Sequence, residues 1–552
     1  MEKRAEDDFL ELIPKRRLSY QQIALRPRRW RRKNTPTYRF RRDPSHLNEI
    51  DWKKYGNTFL WRDNKTIIHV GDFDEYYITP KKHISFYILY GNKEVMRCAV
   101  YGKTDVAIAE TISSLWSLRA VVEDDNQGRT NSLLIDFVIN FDVTALTTEQ
   151  LIRVLDANPK REIYIAGGVW STQQAVVMAT RPYTLNLKLG GEPFAFEDDG
   201  TAFVNALETR QTPFGSLRLC LNKDEQGFSR ANMERLLNLE VLGNIKIVPV
   251  SYEGPFLEPL SAKVNELDYD IEARYYQPED FETLLIPAKD LKLTWYMDET
   301  NNYNRLLISF LNRIAQLGHV ESLRISTYGN QWVDDHGTLD FIEFPELTKA
   351  LIGAITGNKK LKHLDLSHCY FMGNFLHHLD FKEVFQAIEN HEGLRTLLIY
   401  GYPREDPSYC WLKRLLSRNR YITVLDNRDQ KCSDGSSVDQ LYTLNYFYCG
   451  SADLMKDSSL MRPALIVTAL TESASRNFQR TALSLFHHTD MLCEILHELV
   501  GGGERSVDPP IPIEAVLPVA TTTIDEAKEF DPLNRKAKSR FSGSPKKRMR
   551  YN

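Results

Sequence analysis

Short strands in which two apolar residues flank one polar residue recur along much of this chain. Stretches with apolar residues every three or four positions alternate with them, and this spacing predicts amphipathic helices. Two of these helices begin with capping boxes, at Thr147–Gln150 and Ser171–Gln174. The alternation predicts a repetitive α/β fold with a parallel sheet. The strands are residues 163–165, 185–187, 217–219, 245–247, 291–293, 323–325, 364–366 and 397–399, with a weaker ninth at 422–424.

One copy of the repeat has a specific pattern. Leu361-Lys-His-Leu364-Asp-Leu366-Ser-His-Cys369-Tyr-Phe371 fits L-x-x-L-x-L-x-x-N/C-x-L. The copy that begins at Leu394 keeps only the first half of it. The longest step between strands contains residues 251–289, where either a loop insertion or an unrecognised repeat is expected.

Over about residues 131–430 the chain therefore resembles the leucine-rich-repeat superfamily, of the ribonuclease-inhibitor-like type. Residues 200–219 and 462–496 are also similar to segments of a group of uncharacterised diatom-type leucine-rich-repeat proteins. The resemblance implies an α/β solenoid, a curved array with a concave parallel sheet and convex helices. It implies no defined activity.

The remaining sequence predicts modules on either side of the repeats. Residues 1–54 are expected to be a disordered basic arm, and residues 55–130 a small α+β module that caps the array. A hairpin at 84–100 and a helix at 104–118 are expected within that module. Residues 431–500 are expected to form a helical C-terminal cap, and 501–552 a disordered tail with a basic cluster.

The net charge of −4 over 552 residues conceals an uneven distribution. Residues 1–42 hold 14 Lys and Arg against 5 Asp and Glu, and residues 535–552 hold 8 Lys and Arg and no acid, which leaves −21 for the rest. Seven scattered Cys, without a CxxC pair, indicate a reducing compartment rather than a disulfide framework. No apolar run is long enough for a membrane span, and no signal or transit peptide is expected.

A candidate protein-binding surface follows from the alternation of side chains along a strand. The central residue of each strand points away from the buried leucines, toward the concave face. Four successive predicted strands carry a cation there, which predicts a positive row about 15 Å long for an acidic or phosphorylated partner. The candidate concave-face residues are Tyr164, Asn186, Arg218, Lys246, Lys292, Arg324 and Asp365.

The basic ends predict partners of another kind. The tail resembles a bipartite nuclear-localisation signal, which an importin would bind. The alternatives are an inert basic tail or nonspecific nucleic-acid contact. In the N-terminal arm, Arg with interleaved aromatics is typical of nucleic-acid contact, of a second import signal or of an anchor to an acidic surface. The localisation residues are Arg535, Lys536, Lys538, Arg540, Lys546, Lys547, Arg548 and Arg550, and the candidate nucleic-acid contacts are Arg28, Arg29, Trp30, Arg31, Arg32 and Lys33.

Catalytic motifs are absent from the sequence. It contains no GxSxG, HExxH, GxGxxG or P-loop pattern, so no enzyme activity, metal or cofactor is predicted. His363, His368 and Cys369 crowd one repeat, but convergence on a metal is not expected. Ran GTPase-activating proteins share this repeat type, yet a scaffold does not imply that activity.

The sequence thus predicts a non-catalytic protein-binding scaffold or adaptor, located in the nucleus or alternatively in the cytoplasm, without membrane association. A nucleic-acid-associated protein that binds through its basic ends is the first alternative. A substrate adaptor in ubiquitin ligation is the second, although residues 1–54 lack an F-box pattern.

Overall fold

The structure is a computed structural model, and the part of the chain that it describes has several gaps. The chain divides into two compact units, residues 1–488 and 489–552. In the second unit only residues 489–493 are described, and they are helical. The described residues are 9–31, 34–71, 82–90, 93–120, 131–190, 194–221, 227–249, 256–296, 303–328, 344–368, 379–456, 466–467, 471 and 478–493.

A mixed sheet of 17 strands organises the first unit, which belongs to the α/β class. Two further strands, β9 and β11, pair with each other in a separate parallel sheet. The strands are β1 (Leu10–Leu12), β2 (Thr37–Phe40), β3 (Thr58–Trp61), β4 (Ile67–Val70), β5 (His83–Tyr90), β6 (Lys93–Tyr101), β7 (Asn131–Ile139), β8 (Glu162–Ile165), β9 (Gly168–Trp170), β10 (Leu185–Leu189), β11 (Phe194–Phe196), β12 (Gly215–Leu221), β13 (Leu242–Pro249), β14 (Glu266–Glu272), β15 (Asp290–Tyr296), β16 (Ser322–Tyr328), β17 (His363–Asp365), β18 (Thr396–Leu398) and β19 (Thr423–Leu425).

The large sheet has an irregular N-terminal part and a regular C-terminal part. Along the first part the pairing order is β1-β2-β3-β4-β6-β5-β7, mostly antiparallel. From β7 onward every pairing is parallel, in the order β7-β8-β10-β12-β13-β14-β15-β16-β17-β18-β19. All nine strands expected from the sequence are present, and the sheet does not close into a barrel.

Helices connect the parallel strands and cover one side of them. The capping boxes expected at Thr147 and Ser171 are both formed, and Thr104 and Ser229 also cap helices. The described helices are α1 (Tyr20–Leu25), α2 (Arg28–Arg31), α3 (Asp105–Trp116), α4 (Thr148–Ala157), α5 (Thr172–Ala179), α6 (Thr201–Glu208), α7 (Arg230–Leu237), α8 (Tyr303–Leu317), α9 (Phe344–Gly357), α10 (Phe381–Ile388), α11 (Cys410–Arg418), α12 (Ser437–Lys456) and α13 (Phe478–Leu485).

Polar side chains connect the ends of helices α5 and α10 to later segments of the chain. Asn419 donates from Nδ2 to the carbonyls of Ile388 and His391, at 3.1 and 3.0 Å. Arg210 similarly reaches the carbonyl of Ala179, the last residue of α5, at 2.7 Å. The last carbonyls of a helix have no partner inside the helix, so these donors satisfy groups that the fold would otherwise bury unpaired.

The expectation of a disordered arm at 1–54 is wrong for the residues described there. Strand β1 pairs with β2, and β2 pairs with β3, so this segment forms one edge of the large sheet. Phe9 and Leu10 are buried in the main core. Charge density alone had suggested self-repulsion, but several of these cations lie against an acidic side chain or an aromatic ring.

Three contacts attach this segment to the sheet. Arg39 pairs with Asp63 at 2.9 Å, and Arg62 pairs with Asp43 at 2.5 Å. The guanidinium of Arg42 lies 3.9 Å from the centre of the Phe9 ring. Partners from residues 43–63 and nearby aromatic rings therefore hold the arginine-rich segment on the sheet.

The long step at 251–289 contains a strand that was not predicted individually from the sequence. Strand β14 lies there, between β13 and β15, and pairs in parallel with both. Its Leu267, Tyr269 and Ile271 are buried, whereas the residues between them mostly face the other side of the sheet. Apolar and polar residues alternate in the sequence of this strand, but Tyr269 stands where the other strands have a leucine or isoleucine.

The described part of residues 431–500, which follows the last strand of the parallel sheet, is mainly helical. Helix α12 follows the last strand, and Asn445 on it donates to the carbonyl of Leu416 at the end of α11, at 2.9 Å. Tyr442 closes the edge by placing its hydroxyl against the backbone of Val424. Within the described residues, no helix is both long and apolar enough to cross a bilayer.

Candidate functional site

The sheet surface opposite the buried leucines is the candidate site and is called the open face here. Strands β15 and β16 show its origin, because buried and partly exposed residues alternate along both of them. Parallel pairing aligns one open-face residue per strand into a row across the sheet, and the register irregularity of β12 against β13, between Gly215 and Ser216, lies outside this row. From β8 to β17 that row reads Tyr164, Lys188, Arg218, Lys246, Asp268, Lys292, Arg324 and Asp365.

Strand pairing corrects the predicted row at two positions. Lys188, and not Asn186, aligns with Arg218, while Asn186 aligns with Ser216 and accepts a 2.8 Å hydrogen bond from it. Asp268 of β14 lies between Lys246 and Lys292, so the predicted uninterrupted run of four cations is wrong. The sequence Leu185-Asn-Leu187-Lys-Leu189 offers two equivalent registers, and only pairing with neighbouring strands selects one.

Most cations of the row have carboxylate partners. Lys246 lies 2.6 Å from the Asp268 carboxylate, and Arg324 lies 2.6 Å from Asp365. Lys292 pairs with Glu266 of the adjacent strand. This part of the open face is therefore close to neutral and has little net attraction for an anion.

Lys188 and Arg218 differ from the other cations of the row. Within the described residues, neither lies within ion-pairing distance of a carboxylate. The Lys188 ammonium lies 3.7 Å from the centre of the Tyr164 ring, a cation–π contact. Burial, followed by the charge of neighbouring Arg218, lowers the pKa of Lys188. Two like charges on adjacent strands destabilise each other until an anion joins them.

The backbone beside this pair is closely packed. Gly190, with φ at +124°, follows β10 directly, and a Cβ there would lie 2.2 Å from the carbonyl oxygen of Cys220. Cys220 lies two residues after Arg218 on β12 and is partly exposed. Gly190 thus allows β10 and β12 to stay in register, which keeps Lys188 and Arg218 side by side.

Carboxylates surround the pair without joining it. Glu162 lies on β8 opposite Asn186, and its charge acts on Lys188. Asp270 is buried beside Asp268, and burial raises its pKa although the charges of Lys246 and Arg218 oppose this. The site is therefore a small positive patch within an acidic surrounding.

Aromatic residues mark the far end of the open face. The rings of Tyr296 and Tyr328 lie 5.6 Å apart at the ends of β15 and β16, and Tyr328 is 64% exposed. The sequence analysis did not single out this pair. Both strands alternate apolar and polar residues and end in Tyr, and this shared pattern could have indicated the pair.

Other predicted site residues lie elsewhere. Trp30 packs against Phe59 and against His69, with ring centres 6.2 and 4.8 Å apart, so its ring belongs to a small core beside the sheet. Burial lowers the pKa of His69 to about 4, so this core holds a neutral imidazole at pH 7. Arg31 donates to the carbonyls of Arg26 and Ala24.

Several predictions fall outside the described residues. These are Arg32, Lys33, Cys369 and the whole basic tail from Arg535 to Arg550, together with the side chains of Arg28 and Arg29. His363 is described and lies exposed on the open face. Among described residues, no three His, Cys, Asp or Glu side chains are arranged to hold a metal ion.

Comparisons with known proteins give no further assignment. No protein-family model matches the chain, and no curated protein matches it.

Proposed function

We propose that this chain is a non-catalytic scaffold of the leucine-rich-repeat solenoid type, which binds a protein partner across its open face. The observation that supports this most directly is the Lys188–Arg218 pair, two neighbouring cations for which the described residues supply no carboxylate partner, while Lys246, Lys292 and Arg324 of the same row are paired. Neighbouring like charges without partners lower the stability of a folded protein. Proteins therefore keep such pairs mainly at sites where a ligand neutralises them.

The dimensions of the open face suit an extended protein segment. Eight parallel strands carry the row from Tyr164 to Asp365, and at about 4.8 Å per strand this row is about 34 Å long. An extended chain covers that length with about ten residues. An anionic residue at Lys188 and Arg218 would fix the position of such a segment, and Tyr296 and Tyr328 would supply apolar contact area.

Reversing both charges of the pair should abolish capture of the partner. In the variant K188E/R218E, two carboxylates replace the two cations, and one of them lies near Glu162, so an anionic ligand is repelled rather than attracted. We expect the proteins that the full chain retains from a native extract to lose more than nine-tenths of their signal. Quantitative mass spectrometry of the retained proteins measures this.

A matched control places the same charge change on the helical side. Lys349 of α9 and Lys382 of α10 are exposed there, and K349E/K382E should retain the partner at the wild-type level. The opposite pattern, loss with the helical-side variant and retention with the open-face variant, would move the binding surface to the helices and refute this proposal.

We further propose a nuclear location, supported by the two basic clusters at 535–540 and 546–550. Removing residues 535–552 deletes 8 cations, and a fluorescent fusion should then shift from the nucleus to the cytoplasm. Microscopy of the full and truncated chains measures the shift. An unchanged nuclear signal after truncation would refute the import role of the tail. Nucleic-acid contact would then be the alternative role to test.

A further inference from the structure

We infer that the Lys188–Arg218 pair binds a phosphate monoester, carried by a phosphoserine or phosphothreonine in an extended protein segment. This inference rests on the proposed function, because it names the ligand group at the open face. The proposed function requires only that some anion binds at the pair, whereas here the anion is a phosphate monoester.

Charge matching is the first argument. Lys188 and Arg218 align directly on neighbouring strands, which lie about 4.8 Å apart. A phosphate monoester carries about −1.5 to −2 charges at pH 7 and three acceptor oxygens, so one group neutralises both cations. A carboxylate carries a single charge and would leave one of the two cations uncompensated.

The unused donor of Arg218 is the second argument. Its Nε is buried, and it has no hydrogen-bond partner within the part of the chain that the structure describes. A guanidinium presents several N–H groups in a fixed fork that fits two oxygens of one phosphate. The buried Nε reaches a phosphate only if the guanidinium turns toward the open face, and that rotation would give this donor the acceptor that it lacks.

The surrounding carboxylates provide the third argument, because they select a compact anion. Glu162 lies on the β8 side of the pair, and Asp270 of β14 interacts electrostatically with Arg218 on the other side, whereas Asp268 is neutralised by Lys246. A segment with several successive acidic residues would therefore meet a carboxylate on each side of the pair. A nucleic acid has the same disadvantage, since its phosphates repeat along the chain. A single phosphorylated residue flanked by uncharged residues would bring its negative charge to the two cations without placing further anions near the carboxylates.

The open sheet surface favours a short phosphorylated side chain. An extended segment lying on the strands brings its backbone within one side-chain length of the pair. Phosphoserine and phosphothreonine have that short reach, whereas the longer phosphotyrosine requires a deeper recess. Lys188 rests on the Tyr164 ring and so presents its ammonium at the level of the sheet.

Peptide libraries test the assignment. Ten-residue fluorescent peptides of mixed sequence, with phosphoserine, serine or glutamate fixed at the fifth position, are titrated with the full chain by anisotropy. The phosphoserine library should bind at least tenfold more tightly than the other two. K188E/R218E should lose this preference, the neutral variant K188Q/R218Q should lose it without introducing new charges, and K349E/K382E should keep it.

Cys220 reports whether binding occurs at the pair. It lies beside Arg218 on β12 and is partly exposed, whereas Cys410 is exposed and lies on α11. Saturating phosphopeptide should slow alkylation of Cys220 several-fold and leave Cys410 unchanged. Equal protection of both cysteines would overturn the location.

The outcomes separate the inference from the function on which it rests. Equal binding of the glutamate and phosphoserine libraries overturns the phosphate assignment. The proposed open-face scaffold is nevertheless supported if the variant K188E/R218E fails to retain the partner that the unmodified chain captures. Tighter binding of a single-stranded oligonucleotide than of any peptide, lost in the same variant, overturns the protein ligand in favour of a nucleic acid.

Discussion

Replacing Arg161 by Met should lower the free energy of unfolding by about 2 kcal/mol. Arg161 is only 1% exposed, and it donates to the carbonyls of Trp116 and Leu118, at 2.6 and 2.9 Å. The carbonyl of Trp116 lies at the end of helix α3, and that of Leu118 lies two residues beyond it, where Asn158 Nδ2 also donates to it at 3.0 Å. Methionine fills the volume but leaves the buried carbonyl of Trp116 unpaired, which costs about 1–3 kcal/mol.

Chemical unfolding and hydrogen exchange measure this effect. The midpoint should fall for R161M, and amides of α3 should exchange first. R161K should recover little of the loss, because one ammonium cannot match the spacing of a guanidinium fork. Arg153 on α4 is exposed, and R153M should change stability by less than about 0.5 kcal/mol. Equal effects of R161M and R153M would show that the buried bridge has no special role.

Gly190→Ala should destabilise the protein by about 4 kcal/mol and weaken binding at the Lys188–Arg218 pair. The positive φ costs alanine about 1–3 kcal/mol. The added Cβ would also lie 2.7 Å from Cβ of Cys220, in addition to its overlap with the Cys220 carbonyl, so β10 and β12 must separate. Such overpacking costs about 1–3 kcal/mol more. Thermal unfolding and phosphopeptide anisotropy measure the two effects.

Gly353 provides the matched control. It lies inside α9, and a Cβ there would meet nothing within 4 Å. Gly353→Ala should therefore raise stability by about 1 kcal/mol, since alanine is the better helix former, and should leave peptide binding unchanged. If the two substitutions shift the unfolding temperature in the same direction, the close packing of Gly190 against Cys220 does not limit the fold.

Most open-face residues could be predicted because alternation along a strand is a local property. Tyr164, Arg218 and Arg324 face the expected side, since apolar neighbours on both sides of each residue leave no other choice. Lys188 was missed because the strand Leu185–Leu189 has two polar residues in equivalent positions. Hydrogen bonding to β8 and β12 selects one of the two registers, and this choice depends on distant sequence.

The sequence by itself determined the alternation of strands and helices, the capped helix starts and the uneven distribution of charge. These features follow from side-chain periodicity and composition within a few residues. Only the tertiary structure decided which cations remain unpaired, because the partners of Lys246 and Arg324 come from other strands, 22 and 41 residues away. It likewise decided that the described part of the basic N-terminal segment is ordered, since its carboxylate and aromatic partners are brought to it by the sheet.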